Sequence, residues 1–444
     1  MNNAQQAEDA KNEGAIGGKL FIRDINRQES QQMQQFCEFV LKEGKTETPI
    51  MWKCAKAWLE YLSDKRQEAQ KDIEAAMQLE GTDRMKDNAR VLKFYITAAT
   101  AKPSDEFDKY LTEELTWLKE KKEQDAFFGR SLGRIIRQII APHYQNRPEQ
   151  QLALLLATGS YEYEYRIDTM HVDRLEKFYN YTKTPATKPF DRYLKSLINV
   201  NDTALVELIG TKYMRIAQWD KAIQWLKNIP AKFYNDHCNQ EYLYYARMRS
   251  YEVEPWIKRQ WLDSNKAWES EQKWEKNIKL DFCKEMQAME SSLNLLKGKA
   301  LGQRYYALAV RYAQASIKGD CWWLLKQAKS CCDSVGVNES DFGAKAVELL
   351  KKAAMTTDTE LKAKALFGMG YQELYNATRG SRLWTANEWD DQASDFVRKY
   401  YRQSPQFRAY QGLYELLKNV TNEPEYITKC DEFKQFRDYY QKHK

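Results

Sequence analysis

The chain of 444 residues holds no apolar run approaching the roughly 18 residues that a membrane-spanning helix needs. Glycine (18) and proline (10) are scarce and fall between long periodic stretches. That distribution excludes collagen-like and low-complexity classes and favours a fold built wholly of helices. Histidine is rarer still, with only His143, His171, His237 and His443. Asp236-His237-Cys238 offers three metal-ligating types in a row, but adjacent residues rarely converge on one ion, so a loop or helix start is expected there. His171 lies near Asp168 and Asp173, yet no nucleophile motif accompanies it, and it reads as a surface residue. The eight cysteines include no CxxC pair, so neither a disulfide framework nor a zinc site is indicated. The vicinal Cys331-Cys332 reads as a bystander pair. GxSxG, P-loop and GxGxxG strings are all missing. These absences remove every visible carrier of catalysis, and the expectation is a protein that is not an enzyme and takes no metal or cofactor.

Charge of one sign is also lacking. The 69 basic and 63 acidic residues leave a net charge of +6, spread along helices rather than gathered in a stripe. A nucleic-acid partner is therefore not expected. Residues 1–18 are polar, without the apolar core of a secretory signal, and read as a flexible tail ending in Gly17-Gly18. At face value this places the chain in the cytoplasm; a piece of a longer exported precursor would look the same and would belong in the periplasm or at the outer membrane.

What is abundant is periodic apolar sequence, with 28 tyrosines and 13 tryptophans to fill space between helices. The 3.6-residue period predicts helices over 29–43, 49–63, 65–80, 84–99, 103–124 and 126–145, and long polar helices around 264–297. Two stretches share a finer pattern. The first runs Val206, Ile209, Gly210, Tyr213, then Ala222 and Leu226. The second runs Tyr305, Leu308, Ala309, Tyr312, then Cys321, Leu325 and Ala328. Each sets an aromatic nine residues before a small one, with leucine four further on. Gly368 and Tyr371 begin a third, and Ala346, Leu350 and Ala353 read as a helix preceding it. Strict alternation from 305–333 would instead make 340–354 the first helix of a pair, so one helix there is extra, missing or misread. Segment 65–80, with Ala69, Ile73 and Ala76, has the order of a second repeat helix, but Trp58 and Tyr61 stand one residue off the ideal spacing.

This spacing resembles the tetratricopeptide repeat, W-x2-L-G-x2-Y followed by A-x3-F over roughly 34 residues. The resemblance covers about a quarter of the chain. It implies an all-α solenoid of antiparallel helix pairs with no sheet, in which small residues admit close helix approach and the large ones fill the gap beside it. The strings at 206–230 and 305–333 are also similar to large helical cell-envelope proteins of Bacteroidetes. Domain boundaries follow as a tail over 1–18, a helical-repeat half over 19–199 and a repeat array over 200–444, with an inserted loop near 376–389. In the repeat family, side chains flanking the glycine slot on the first helix face the ligand. Carried over, these are Glu207, Thr211, Met214 and Arg215, and around Gly368 they are Lys362, Met369, Gln372 and Glu373. The lysine–asparagine clamp that some members use on peptide carboxylates is not evident. Trp384, in the inserted loop, is a further binding candidate. The function implied is a non-enzymatic scaffold holding a protein or peptide partner in an envelope assembly. The alternative is a glycan-binding envelope protein using exposed Trp and Tyr.

Overall fold

The computed structural model describes residues 27–156, 170–198, 202–236, 249–260, 273–316, 319–325, 339–377, 405–418 and 420–442. Among them every regular element is helical, with no strand. The chain divides into two compact units, Met1–Asn199 and Val200–Lys444.

In the first unit the helices are α1 Arg27–Glu43, α2 Pro49–Leu62, α3 Arg66–Ala76, α4 Asp83–Thr100, α5 Asp105–Lys122, α6 Ala126–Ile135, α7 Pro148–Leu156, α8 Val172–Lys183 and α9 Pro189–Leu197. Helix α6 continues through a π turn, Ile136–Ile140, into Ala141–His143. Side chains mark the helix starts as the sequence leads one to expect. Thr82 accepts from the Met85 amide at 3.3 Å, Ser104 from Phe107 at 3.1 Å and Asp125 from Phe127 at 2.7 Å. Each satisfies an amide that the first helical turn leaves unpaired. His171 does the same for α8, its Nδ1 accepting from the Asp173 amide at 3.3 Å. Packing is largely between sequence neighbours: α1 on α2, α2 on α3, α3 on α4, α5 on α6, with α9 returning to α5. One cation ties the first three together. Lys56 reaches Glu38 of α1 at 2.7 Å, Glu60 at 3.2 Å and Asp72 of α3 at 2.7 Å.

The second unit contains α10 Asp202–Arg215, α11 Trp219–Leu226, the short α12 Ala231–Asn235, α13 Ile278–Ser291, α14 Gly298–Ala315, α15 Phe342–Ala353, α16 Thr359–Ala377, α17 Pro405–Leu417, α18 Glu425–Thr428 and α19 Asp431–Lys442. Again packing runs mainly between helices close in sequence: α10 on α11, α11 on α13, α14 on α15, α15 on α16 and α16 on α17. Gly210 of α10 faces Leu226 of α11 so closely that a Cβ would lie 2.6 Å from its Cδ2. Tyr213, Ala222 and Leu226 are fully buried around that approach.

The turns α2–α3 and α10–α11 are built alike. In the first, the Asp64 amide donates to Tyr61 O and the Lys65 amide to Glu60 O; in the second, Ala217 donates to Met214 O and Gln218 to Tyr213 O. Both place a non-glycine residue at positive φ, Asp64 at 61° and Ala217 at 55°. Matching Asp64 to Ala217 sets Ala57, Ala69 and Ile73 beside Gly210, Ala222 and Leu226, and all six are buried. It also sets Glu60 beside Tyr213, which is why Trp58 and Tyr61 look one residue out of step. Left-handed backbone costs alanine on the order of 1 kcal/mol and glycine almost nothing. Ala217→Gly should therefore gain about 0.5–1 kcal/mol, read as a rise in melting temperature of roughly 1–4 °C. An unchanged or lower value would mean the turn carries no strain.

The second expected repeat departs from its sequence reading. After α14 the helix predicted to begin at Cys321 is, over the described residues, a single 3-10 turn, Trp322–Leu325. Asp320 accounts for the break. Its amide donates to Gln314 Oε1 at 2.9 Å, its carbonyl accepts from Arg249 at 2.7 Å and its carboxylate pairs with Arg259 at 3.2 Å. These bonds hold 319–321 in a turn that an α-helix could not make. Gly319 fits because a Cβ there would sit 2.0 Å from the Gln314 carbonyl oxygen. Cys321 is buried at this corner, and Ala328 lies outside the described residues. Helix α15 packs directly on both α14 and α16. The conflict in register around 340–354 thus falls just after this 3-10 turn, and the rest of the expected second helix lies outside the described residues. Around 264–297 the described part is α13 with a 3-10 turn Ser292–Leu295, and 273–277 precede it as non-helical chain.

Candidate partner-binding surface

The two matched turns carry two different environments on the same helix positions. In α10 the expected ligand-facing residues point inward. Lys279 of α13 places its Nζ 2.5 Å from Glu207 Oε1 and 2.8 Å from Thr211 Oγ1, and Thr211 donates to Glu207 at 3.0 Å. Lys279, Glu207 and Thr211 have no exposed surface at all. Burial pulls the Lys279 ammonium below its ordinary pKa, with the Glu207 charge opposing that shift. Nearby, burial and the Glu207 charge drive the Tyr234 hydroxyl well above its usual range. Asn277 caps α13 through Oδ1, which takes the Leu280 amide at 3.0 Å. The same side chain donates to the carbonyls of Leu226 at 2.9 Å and Ile229 at 3.0 Å, fixing the end of α11 to the start of α13.

Met214 is fully enclosed too, and Arg215 nearly so, donating to Leu325 O at 2.5 Å and lying 3.4 Å from Glu339. Lys212 joins the same glutamate at 3.2 Å. These four predicted partner contacts, Glu207, Thr211, Met214 and Arg215, are therefore spent on the interior, and the fold leaves them no surface to offer. The Lys279 cluster has an altered lysine next to a carboxylate and a hydroxyl, which is a pattern found at reactive centres. With no exposed atom in the trio, no substrate reaches it.

Around Gly368 the expected residues divide. Lys362 and Met369 are half-buried, Gln372 is buried, and the side chain of Glu373 lies outside the described residues. Gly368 is a close-approach position, but its neighbour is an indole: a Cβ would come within 2.7 Å of Trp256 Cε2. Trp256 in turn donates to Tyr306 at 2.8 Å, and Tyr371 accepts from Arg259 at 2.9 Å. Tyr305 is half-buried beneath Lys352, whereas Tyr312 is fully buried against Phe342 and donates to Glu290. Leu325 is half-buried. Trp384, His237, Cys238, Asp168 and Cys331-Cys332 lie outside the described residues. Among those described, no three of His, Cys, Asp and Glu come together as a metal site would require. No described helix is long and apolar enough to cross a membrane.

In the first unit the matched positions open outward. Cys54 and Trp58, which correspond to Glu207 and Thr211, line a groove of about 260 Å³ between α2 and α4. Ile50, Met51 and Ala55 complete one wall, and Met85, Asn88, Ala89 and Leu92 form the other. Burial pushes the Cys54 thiol up to about 11, so it sits there as a small neutral hydrophobe. Asn88 brings the one amide; its Oδ1 is buried and takes no donor from the described residues. Trp58 stacks on Tyr61 at 5.4 Å and meets Tyr95 edge-on at 5.4 Å, so its ring is held rather than free to fill the space. Sequence reasoning missed this site because it judged the 49–80 pair by its imperfect spacing. The signal that marks it is the helix turn, which aligns Cys54 and Trp58 with Glu207 and Thr211. No family model, curated protein or solved structure matches the chain.

Proposed function

We propose that the chain is a non-enzymatic helical-repeat scaffold of tetratricopeptide type, built of antiparallel helix pairs, that holds another polypeptide in the groove between α2 and α4. The observation that carries this reading is that open groove, lined by Cys54 and Trp58 on positions whose counterparts in α10, Glu207 and Thr211, are fully buried, with Met51 and Met85 beside them. Soft, unbranched and aromatic side chains suit the apolar stripe of a helix or a strand's alternate residues. Packing between consecutive helices, seen in both units, is what a stacked array would give. A setting in an envelope assembly follows from the resemblance of 206–230 and 305–333 alone.

A glycan-binding role has less support. Sugars need an open aromatic face flanked by several hydrogen-bonding groups, and no described tryptophan is exposed. The test is a photo-crosslinking residue at Ala55, with adducts identified by mass spectrometry from the native host. A polypeptide adduct that is lost in Met51→Glu is the expected result. Labelling of carbohydrate, or none at all, would remove the proposal.

A further inference from the structure

We propose that the polypeptide docked on this face is a second copy of the same chain, giving a two-fold dimer through α1 and α2. This rests on the docking role proposed for the groove. The described residues include six large hydrophobic side chains in the exposed class, and four of them gather here. They are Met33 (47% exposed), Phe36 (55%), Phe39 (58%) and Met51 (54%). Isolated apolar residues on a surface need no explanation, but a cluster of this kind marks a contact. Phe36 meets Trp52 edge-on at 5.7 Å, and Met51 belongs both to this patch and to the groove wall. Trp52 and Met51 are consecutive on α2, so the patch adjoins the groove there.

Three features favour a copy of itself over a foreign partner. First, a two-fold contact sets the residues at its axis against their own duplicates, so a charge there would face its like. From Ser30 to Cys37 the sequence SQQMQQFC has no charged residue, in a chain that is 30% charged. Its exposed amides, Gln31, Gln32 and Gln35, each donate and accept and so can pair with one another. Second, the surface offers both projections and a hollow. Phe36 and Phe39 stand out on α1, and the groove's 260 Å³ exceeds the roughly 150 Å³ that accepts a benzene ring. Symmetry uses both features twice. Third, the area is adequate. Four half-exposed large side chains offer roughly 400 Å² of apolar surface, at ~200 Å² for each whole side chain. A stable interface takes ~800 Å² per partner, a little over half of it apolar.

Analytical ultracentrifugation of the full chain tests this. The wild type should sediment as a dimer at ~10 µM. Phe36→Asp should weaken association by ~100-fold or more and melt like the wild type at dilutions where both are monomeric, since the ring is over half exposed. Ala55→Trp, which fills the hollow, should weaken it independently, while Leu295→Asp in the second unit should leave the dimer intact. A monomeric wild type at ~100 µM, or a Phe36→Asp chain that still dimerises, would overturn the proposal. So would a clear loss of melting temperature in Phe36→Asp relative to wild type diluted until it too is monomeric, because the chain's own residues would then be covering the face. If the wild type is monomeric but Ala55 crosslinks a different polypeptide, self-pairing fails and docking stands. If it is monomeric and captures no polypeptide, both fail.

Discussion

Replacing Lys279 with methionine is expected to cost about 3–5 kcal/mol, the effect of removing one partner of a buried ion pair. Glu207 has no exposed surface, so water cannot take the place of the ammonium 2.5 Å from it. The 3.0 Å bond from the Thr211 hydroxyl contributes about 1 kcal/mol net and does not offset that loss. The size of the effect says nothing of what the pair itself contributes. Forming it required both charges to leave water, and that cost can exceed their attraction. The double variant Glu207→Leu with Lys279→Met should therefore recover most of the loss, since an apolar pair of similar volume is often neutral or stabilising. Denaturant unfolding of the three chains decides the matter. A small loss in the single variant would mean that Glu207 takes up a proton or reaches water, and that the cluster is looser than its geometry.

Gly210→Leu is expected to lower stability by about 3 kcal/mol or more, because its side chain would have to occupy the place of Leu226. A Cβ alone would lie 2.6 Å from both Cγ and Cδ2 of Leu226 and 3.4 Å from Trp225 Cβ. Leu226 is fully buried and has no free direction in which to turn. Gly210→Ala separates two effects: alanine gains about 1 kcal/mol in a helix interior, and the clash works against it. A net loss is expected, smaller than for leucine. Tyr213→Ala should cost about 3–5 kcal/mol through the cavity left by a fully buried ring. Over a unit of this size, 3 kcal/mol corresponds to roughly 6–12 °C in melting temperature. If Gly210→Leu and Tyr213→Ala both melted like the wild type, the close approach of α10 and α11 would not exist.

Helix identity was legible before any coordinates. Scarce glycine and proline and a 3.6-residue apolar period act over one or two turns, and so placed α1 to α6 within a few residues. The small-residue slot at Gly210 was legible for the same reason, since its partner Leu226 lies only one turn of chain away across a hairpin. The 3-10 turn Trp322–Leu325 was not. Asp320, just before it, is held by Arg249 from 71 residues away and by Arg259 from about sixty, and periodicity holds no record of such contacts.

The outward or inward character of matched helix positions was likewise decided only by the tertiary structure. Glu207 and Thr211 look like surface residues, because a charge and a hydroxyl on a helix normally face water. Lys279, brought from 72 residues away, supplies the opposite charge that lets them be buried. Cys54 and Trp58 look like core residues, yet the wall opposite them leaves a hollow. Local sequence sets which residues form a helix, because the backbone bonds that make it span four residues. Whether a given face meets solvent, a partner or another helix depends on what distant segments bring to it, and that is a property of the packed chain.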